Sequence, residues 1–394
     1  MLLTLWLLTF GVSSQFLMIT PLLPALGAAY DRPPAELGIV VTAYAIAVAI
    51  VSLLAGPISD RFGRLAVLRV GAAGMALALL AHAVVGSYSA LVLLRFLTGA
   101  AGGLASVWAA YIGDLFPYER RGTAMGIALS GMAFGQIAGV PLGTLLAGQV
   151  GFQAPFAVFG LSMAAVAALS WVLLPEPPSE VRATEGLTDA FAGYAEVLRR
   201  RDVLAMCAAS LLMMASVAVL IVYFPTWMHD AFGATDGQVA LSFAVGGVAN
   251  LITGPIAGWA SDRVGRKRIV IVSGVALSGA MLLLAAAPSL PLVFAAFFVV
   301  MFFAGMRTSP LQTLVSELVT GRRRGAVLAL SLATGQSGFA LGSALSGPIY
   351  GSWHFAGNAV FAAIGGLATA AVVGWGLPEP VSARRATPED RPGE

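Results

Sequence analysis

Twelve times along this chain the sequence stays apolar for about twenty residues. A run of that length, wound as a helix at 1.5 Å per residue, crosses a hydrocarbon core of roughly 30 Å. The runs lie at about 2–23, 35–56, 66–86, 90–113, 123–148 and 154–174, then at 203–227, 237–260, 269–288, 290–311, 325–350 and 357–377. In a bilayer every backbone N–H and C=O must be paired inside a helix or a closed barrel. Barrel strands would alternate apolar and polar residues over about ten positions, and these runs do not alternate. With 58% hydrophobic and 10% charged residues, too little polar surface remains to clothe a water-soluble globule. The chain therefore reads as an all-α polytopic membrane protein. Met1 leads directly into LLTLWLLTF, with neither a basic stretch nor a small-residue cleavage site. The first run is expected to be a retained span and not a signal peptide. Cys207 is the single cysteine, so no internal disulfide forms.

The placement of charge orients the spans. Of the 22 Lys and Arg, Arg95 and Arg307 lie inside spans and Arg32 follows the first. All the others follow even-numbered spans or lie in the tail, which predicts that those loops and both termini are cytoplasmic. Arg-rich, Ala-rich and Gly-rich composition points to a bacterial source, hence to the inner membrane. Four regions result: a six-span half over 1–174, a linker over 175–202, a second six-span half over 203–378 and a disordered tail over 379–394. The linker opens PEPPSE, which a helix cannot continue. Leu187, Phe191, Tyr194 and Leu198 then recur at helical spacing, with Thr188 or Asp189 as cap and Arg199–Arg201 at the end. This predicts a short helix on the cytoplasmic surface, its basic end toward anionic lipid.

The two halves repeat. AGPISDRFGRLAVLR from Ala55 and AGWASDRVGRKRIVI from Ala257 match at seven of fifteen positions, 202 residues apart. Asp114 in DLFPYERRG and Glu317 in ELVTGRRRG precede an Arg-Gly by the same spacing, with Arg121 in the first copy. Gly131, Gly135, Gly139 and Gly143 stand four apart in span 5, echoed by Gly338, Gly342 and Ser346 in span 11. Internal duplication of this kind marks transporters built from two related bundles. Gly56 and Gly258 are expected to admit a neighbouring helix. Gly63 and Gly265 are expected to make the tight turn that returns Arg64 and Arg266 toward Asp60, Asp114 and Asp262. Arg61 and Arg263 complete each corner. Charge pairs near water are weak, which suits a latch that closes the cytoplasmic side in one state and opens in the other.

These residues resemble a known family. GPISDRFGR looks like the loop between spans 2 and 3 of the major facilitator superfamily, with Leu65 where a further basic residue is common. LLRFLTGAAGG, with Arg95 and Gly99, is similar to its fourth-span motif. Gly139-Val140-Pro141-Leu142-Gly143 is similar to the fifth-span motif of its drug- and sugar-efflux members, with Val140 intruding. QFLMITPLLPALGAAYD near the start resembles the same branch. The resemblance covers roughly 1–378. It implies two six-helix bundles rocking about a cavity lined by spans 1, 4, 7 and 10, and a role for Arg95 in proton coupling or in packing span 4.

Charge inside a span costs about 2.5–3.5 kcal/mol on the insertion scale, so Arg95 and Arg307 are the first candidates for substrate or coupling contact. No Asp or Glu lies near the centre of any span; Asp31 and Glu36 are the acids a deep outer cavity would reach. That departs from the buried carboxylate expected of cationic-drug exchange with protons. His82 reads as a wet outer-leaflet residue, the alternative being a titrating one. Gln15, Thr20, Trp108, Tyr111, Tyr223, Trp227 and Gln312 on the cavity spans, and Tyr44, Gln136, Asn250 and Gln336 on spans 2, 5, 8 and 11, supply polar and aromatic lining. Tyr223 and Trp227 are expected among the interfacial belt. The span-5 glycines, with Gly135, Gly139, Pro141 and Gly143 as the motif, read as packing.

No phosphate-binding loop, metal-ligand cluster or nucleophile–His–acid set is present, and the basic residues are topological anchors and not a nucleic-acid surface. The expected function is a monomeric secondary transporter, not an enzyme and without cofactor, exporting small organic or amphipathic solutes in exchange for protons. The alternatives are an organic-anion importer or uniporter, a lipid flippase and a non-transporting receptor.

Overall fold

The computed structural model describes residues 1–177, 187–319 and 323–378. Every regular element among them is helical. The first half comprises α1 (Leu2–Leu17), α2 (Ile19–Tyr30), α3 (Pro34–Phe62), α4 (Arg64–His82), α5 (Tyr88–Ala105), α6 (Trp108–Leu115) and α7 (Tyr118–Phe134). A π-helical turn over Gly135–Gly139 then leads into α8 (Val140–Val150) and α9 (Gln153–Leu173). The linker carries α10 (Leu187–Val197). The second half comprises α11 (Arg201–Ile221), α12 (Phe224–Phe232), α13 (Asp236–Val264), α14 (Arg266–Ala285), α15 (Leu290–Glu317) and α16 (Arg324–Gly376).

These helices recover the twelve apolar runs with three differences. Run 1 does not stop at residue 23: α1 and α2 are joined at Met18 with a 46° bend and reach Tyr30. Runs 4 and 7 are each interrupted once, between α5 and α6 and between α11 and α12. Runs 11 and 12 are fused in α16, whose 53 residues would span more than twice a bilayer at 1.5 Å each. The chain turns at His354, where φ is 50° and ψ is −164°. Ten helices among the described residues are long and apolar enough to cross a membrane, eleven with the bent pair counted as one.

Starts and stops follow local chemistry. Pro34 opens α3 at a position that needs no N–H. Thr235 and Gln238 form a reciprocal capping box on α13. Gly63 and Gly265 end α3 and α13 with φ of 91° and 100°, as the tight corners require. The outer surface is apolar: Leu77 and Leu283 are each 70% exposed and Trp375 91%. Water would penalise such a surface and acyl chains accept it.

Packing repeats between the halves. Span 5 rests on span 1: a Cβ at Gly135 would stand 2.8 Å from Ser13 Cβ, one at Gly139 would run into Ser14, and one at Gly143 would come to 3.1 Å from Met18. In the second half Gly338 and Gly342 leave room in the same way for Leu211 and Ala215 of α11. With no hydrophobic drive between helices in lipid, such close backbone approach is what dispersion forces can use. Gly56 and Gly258 are a correction. A Cβ at either meets nothing within 4 Å, so neither admits a neighbouring helix.

The linker helix forms over Leu187–Val197 as the periodicity predicts, but it does not lie apart on a lipid surface. Tyr194 and Val197 are buried in a cluster with Met206, Leu311, Leu314 and Val315 of the second half. Residues 178–186, which hold the PEPPSE turn's end, lie outside the described residues, as does the tail from 379.

Candidate functional site

The arginine-rich corners sit at one end of the two bundles. In the first, Arg64 reaches Asp60 at 3.3 Å and also pairs with Asp114 from α6. A cavity of about 80 Å³ opens beside them, lined by Asp60, Arg64, Asp114 and Glu176. In the second, Arg266 approaches Asp262 at 3.9 Å. The Glu317 side chain lies outside the described ones. Arg61 and Arg263 are exposed and stack over Phe62 and Trp259, at 5.5 and 4.2 Å from the ring centroids. Arg121 donates to the Phe116 carbonyl at 3.0 Å and lies close enough to Asp114 to favour its charged form. The Arg64–Asp60, Arg64–Asp114 and Arg266–Asp262 pairs each lie within one half.

Two further basic residues of the repeat, Arg69 and Lys267, are tethers. Arg69 donates to the carbonyls of Ser170 and Leu174, tying span 3 to the end of span 6. Lys267 donates at 2.9 Å to the Leu377 carbonyl, tying span 9 to the end of span 12. Different residues thus make the same tie in the two copies.

Several side-chain contacts join the halves along two seams. Thr42 Oγ1 donates to the Ala340 carbonyl at 3.2 Å, and the Tyr223 hydroxyl donates to the Pro34 carbonyl. Phe16 packs on Phe339 at 4.9 Å between centroids. On the second seam Ile137 fills the space beside Gly247, and Asp236 that beside Gly148. At the middle of that seam Asn250 Nδ2 donates to Gln136 Oε1 at 2.8 Å. Gln136 belongs to the π-helical turn, whose extra residue re-aims side chains relative to a plain helix. Two candidates on different halves therefore meet.

Arg95 and Arg307 are both sealed in protein, 0% and 1% exposed. Arg95 donates to Gln15 Oε1 at 3.1 Å and lies over the Tyr44 ring at 4.8 Å. Gln15 in turn donates to the Tyr44 hydroxyl at 2.9 Å. Three candidates from spans 1, 2 and 4 thus form one cluster, and Tyr44 extends it through Phe16 to Phe339 of the other half. Arg307 donates to the Met213 carbonyl at 3.0 Å. Two nitrogens of each guanidinium, Nε and one terminal amine, have no hydrogen-bond partner among the described residues.

Other candidates fall elsewhere. Tyr111 is buried and donates to the Pro175 carbonyl at 2.6 Å, so it fastens the start of the linker. Thr20, in α2, is buried and donates across the bend to the Leu17 carbonyl at the end of α1 at 3.0 Å. Tyr223 and Trp227 are not belt residues: both are buried, Trp227 stacking on Phe355 at 4.2 Å. His82 is not wet. Its ring is fully buried, stacked on Phe156 at 4.5 Å, with Nδ1 2.7 Å from the Ala78 carbonyl. Asp31 caps α2 in a left-handed conformation, and Glu36 pairs with Arg32 at 3.3 Å near the surface. Neither lines the interior. Trp108 and Gln336 are half-buried, Gln312 is exposed, and Gln336 Oε1 is buried without a partner. Sequence reasoning missed Asn358, buried on α16 with Nδ2 donating to Val219 and Ser346 carbonyls. A lone Asn in an apolar run was the available signal.

Comparison with known proteins agrees with this architecture. The sequence profile of the Major Facilitator Superfamily matches residues 5–230 and 206–393. The chain is 28% identical over 359 residues to the MFS-type transporter YceJ of Bacillus subtilis, covering 90% of each. It is 29% identical over 324 residues to the chromaffin granule amine transporter of Rattus norvegicus, covering 80% of this chain and 60% of that one. The crystal structure of a D-xylose–proton symporter superposes with a TM-score of 0.79 at 20% identity, covering 97% and 98% of the two chains. With the duplicated corners and the two matched bundles, these findings place the molecule: the chain belongs to the Major Facilitator Superfamily of secondary transporters.

Proposed function

We propose that the chain exports small amphipathic organic solutes by alternating access across a bacterial inner membrane, with both termini in the cytoplasm. The carrying observation is that two duplicated bundles meet along polar seams. The halves are pinned at Pro34–Tyr223, Thr42–Ala340 and Gln136–Asn250, while the Arg64–Asp60, Arg64–Asp114 and Arg266–Asp262 pairs each lie within one half. The basic residues favour a cytoplasmic corner end. The fifth-span motif supports export, and the likeness to an amine transporter supports an organic solute.

The interior supports a neutral or anionic polar end. Arg95 and Arg307 are buried with nitrogens to spare, and the Gln136–Asn250 and Phe16–Tyr44 contacts offer amide and aromatic groups. A buried guanidinium favours a carboxylate or phosphate partner and repels a cation. The same arginines favour the second reading, an importer or uniporter of organic anions. The fifth-span motif points to exchange with protons as the driving force.

The test is flux in proteoliposomes loaded with fluorescent amphiphiles that differ only in charge. Export predicts counterflow of the neutral or anionic probe, and faster exit when the trans side is acidic. Flux of the cationic probe alone would overturn the substrate class. Downhill uptake indifferent to a pH gradient would favour the uniporter.

A further inference from the structure

The linker helix α10 touches both halves. Its Tyr194 and Val197 are embedded in the core of the second half, and Glu196 pairs with Arg323 at the start of α16. The Tyr194 hydroxyl, meanwhile, donates at 2.8 Å to the carbonyl of Leu53, in α3 of the first half. Leu53 itself packs against the second-half cluster.

Leu53 is an unusual acceptor. In a regular helix its carbonyl takes the N–H four residues on. That residue is Pro57, inside α3. Proline has no N–H, and its ring presses on the carbonyl one turn back. The Leu53 carbonyl thus lacks its helical donor in a half-buried place, where an unmet backbone group is unfavourable. Tyr194 supplies the missing hydrogen. The second half has no copy of this device. The repeat sets Trp259 opposite Pro57, so the corresponding carbonyl, that of Pro255, is followed four residues later by an ordinary N–H.

We propose that Tyr194 is a clasp: by donating to the carbonyl that Pro57 leaves free, the linker helix holds the two halves in the state described and must let go when they rock. The clasp rests on the carrier reading, because it needs halves that move, but it can be read from distance without any substrate. It assigns Pro57 a purpose beyond bending α3, and it makes the linker a participant in the switch instead of a passive tether.

The experiment uses the full chain in lipid nanodiscs, with Cys207→Ala and spin labels at Ala66→Cys and Arg268→Cys. These are exposed, mirrored positions just past the two corners. Pulsed electron resonance reads the populations of the long and short distances. Tyr194→Phe keeps the ring and removes the donor, and should shift the ratio away from the described state by about two- to tenfold, the effect of one hydrogen bond. Pro57→Ala restores an N–H to the helix and should shift it the same way. In that background Tyr194→Phe should change the ratio by no more than about 1.5-fold. An unchanged ratio in Tyr194→Phe, or a full shift persisting in the Pro57→Ala background, overturns the clasp while the carrier stands. A parent protein with a single distance in every condition, including saturating solute and either pH gradient, would bring down both.

Discussion

Among the described residues Gln15 is the one side chain that accepts a hydrogen bond from the buried Arg95, and Gln15→Leu isolates what that bond does. The substitution keeps volume and removes, besides a donation to the Val12 carbonyl one turn back at 3.2 Å, two contacts between spans. One is the charge-assisted bond from Arg95 at 3.1 Å, of a kind that contributes about 1.5–3 kcal/mol. The other is the donation to the Tyr44 hydroxyl at 2.9 Å, contributing about 0.5–1.5 kcal/mol. The guanidinium is then left with the Tyr44 ring as its remaining polar contact. A loss of about 2–4 kcal/mol is expected, measured as reversible unfolding in mixed micelles. The sharper result lies in the double variant. Arg95→Met removes the charge, so Gln15→Leu with Arg95→Met should be at least about 1 kcal/mol more stable than Gln15→Leu alone, because an apolar pair replaces a stranded cation. If Gln15→Leu changes stability by under about 0.5 kcal/mol, or if the two substitutions simply add, Arg95 draws its stability from elsewhere and the cluster is not a unit.

Further outcomes follow from the same contacts. Asp60→Ala and Asp114→Asn should impair transport far more than folding, with stability changing by under about 1 kcal/mol, since both acids are partly exposed; unimpaired flux would remove the corner from the mechanism. Gly139→Ala drives a Cβ into Ser14 and should cost about 1–3 kcal/mol, whereas Gly56→Ala meets open space and should be silent; paired melting curves decide both. Gly265→Ala forces a left-handed residue at φ 100° and should cost at least about 1 kcal/mol. Burial, and then the charge of Asp60, push the Tyr194 phenol above its ordinary value. A raised phenol keeps its proton, and so remains a donor, until pH exceeds that raised value. The clasp population should therefore be flat between about pH 6 and 9, read from the same spin-label distances.

The repeat and the span pattern were legible because they rest on composition and on glycine. Twelve apolar runs have no other way to satisfy their backbone in lipid, and Gly63 and Gly265 take the positive φ their corners need. The span-5 glycines were legible as packing for the same reason, since a stripe four apart has one geometric use on a helix. What a hydropathy pattern does not carry is where a half-polar side chain points. Tyr223 and Trp227 sit at the depth of an aromatic belt, yet face inward because α12 is a separate segment set off by the break after Ile221. His82 has the depth of an interfacial residue but points at Phe156. Gly56 and Gly258 lie in the repeated corner, but no helix passes their side. The Arg95 cluster needed three spans to be assembled before Gln15 and Tyr44 could be seen as its partners. Pro57 was in plain view in the quoted repeat; only the position of Tyr194 gives its effect on Leu53 a consequence.

Cross-linking the closed seam tests alternating access most directly. In a background lacking Cys207, Thr42→Cys with Ala340→Cys places two thiols where a side chain of the first half meets the backbone of the second. Closing that bridge should abolish flux while leaving solute binding from the corner end intact, and reduction should restore transport. Full flux through the bridged protein would contradict the account, because the halves would then carry solute without parting along the seam that must open.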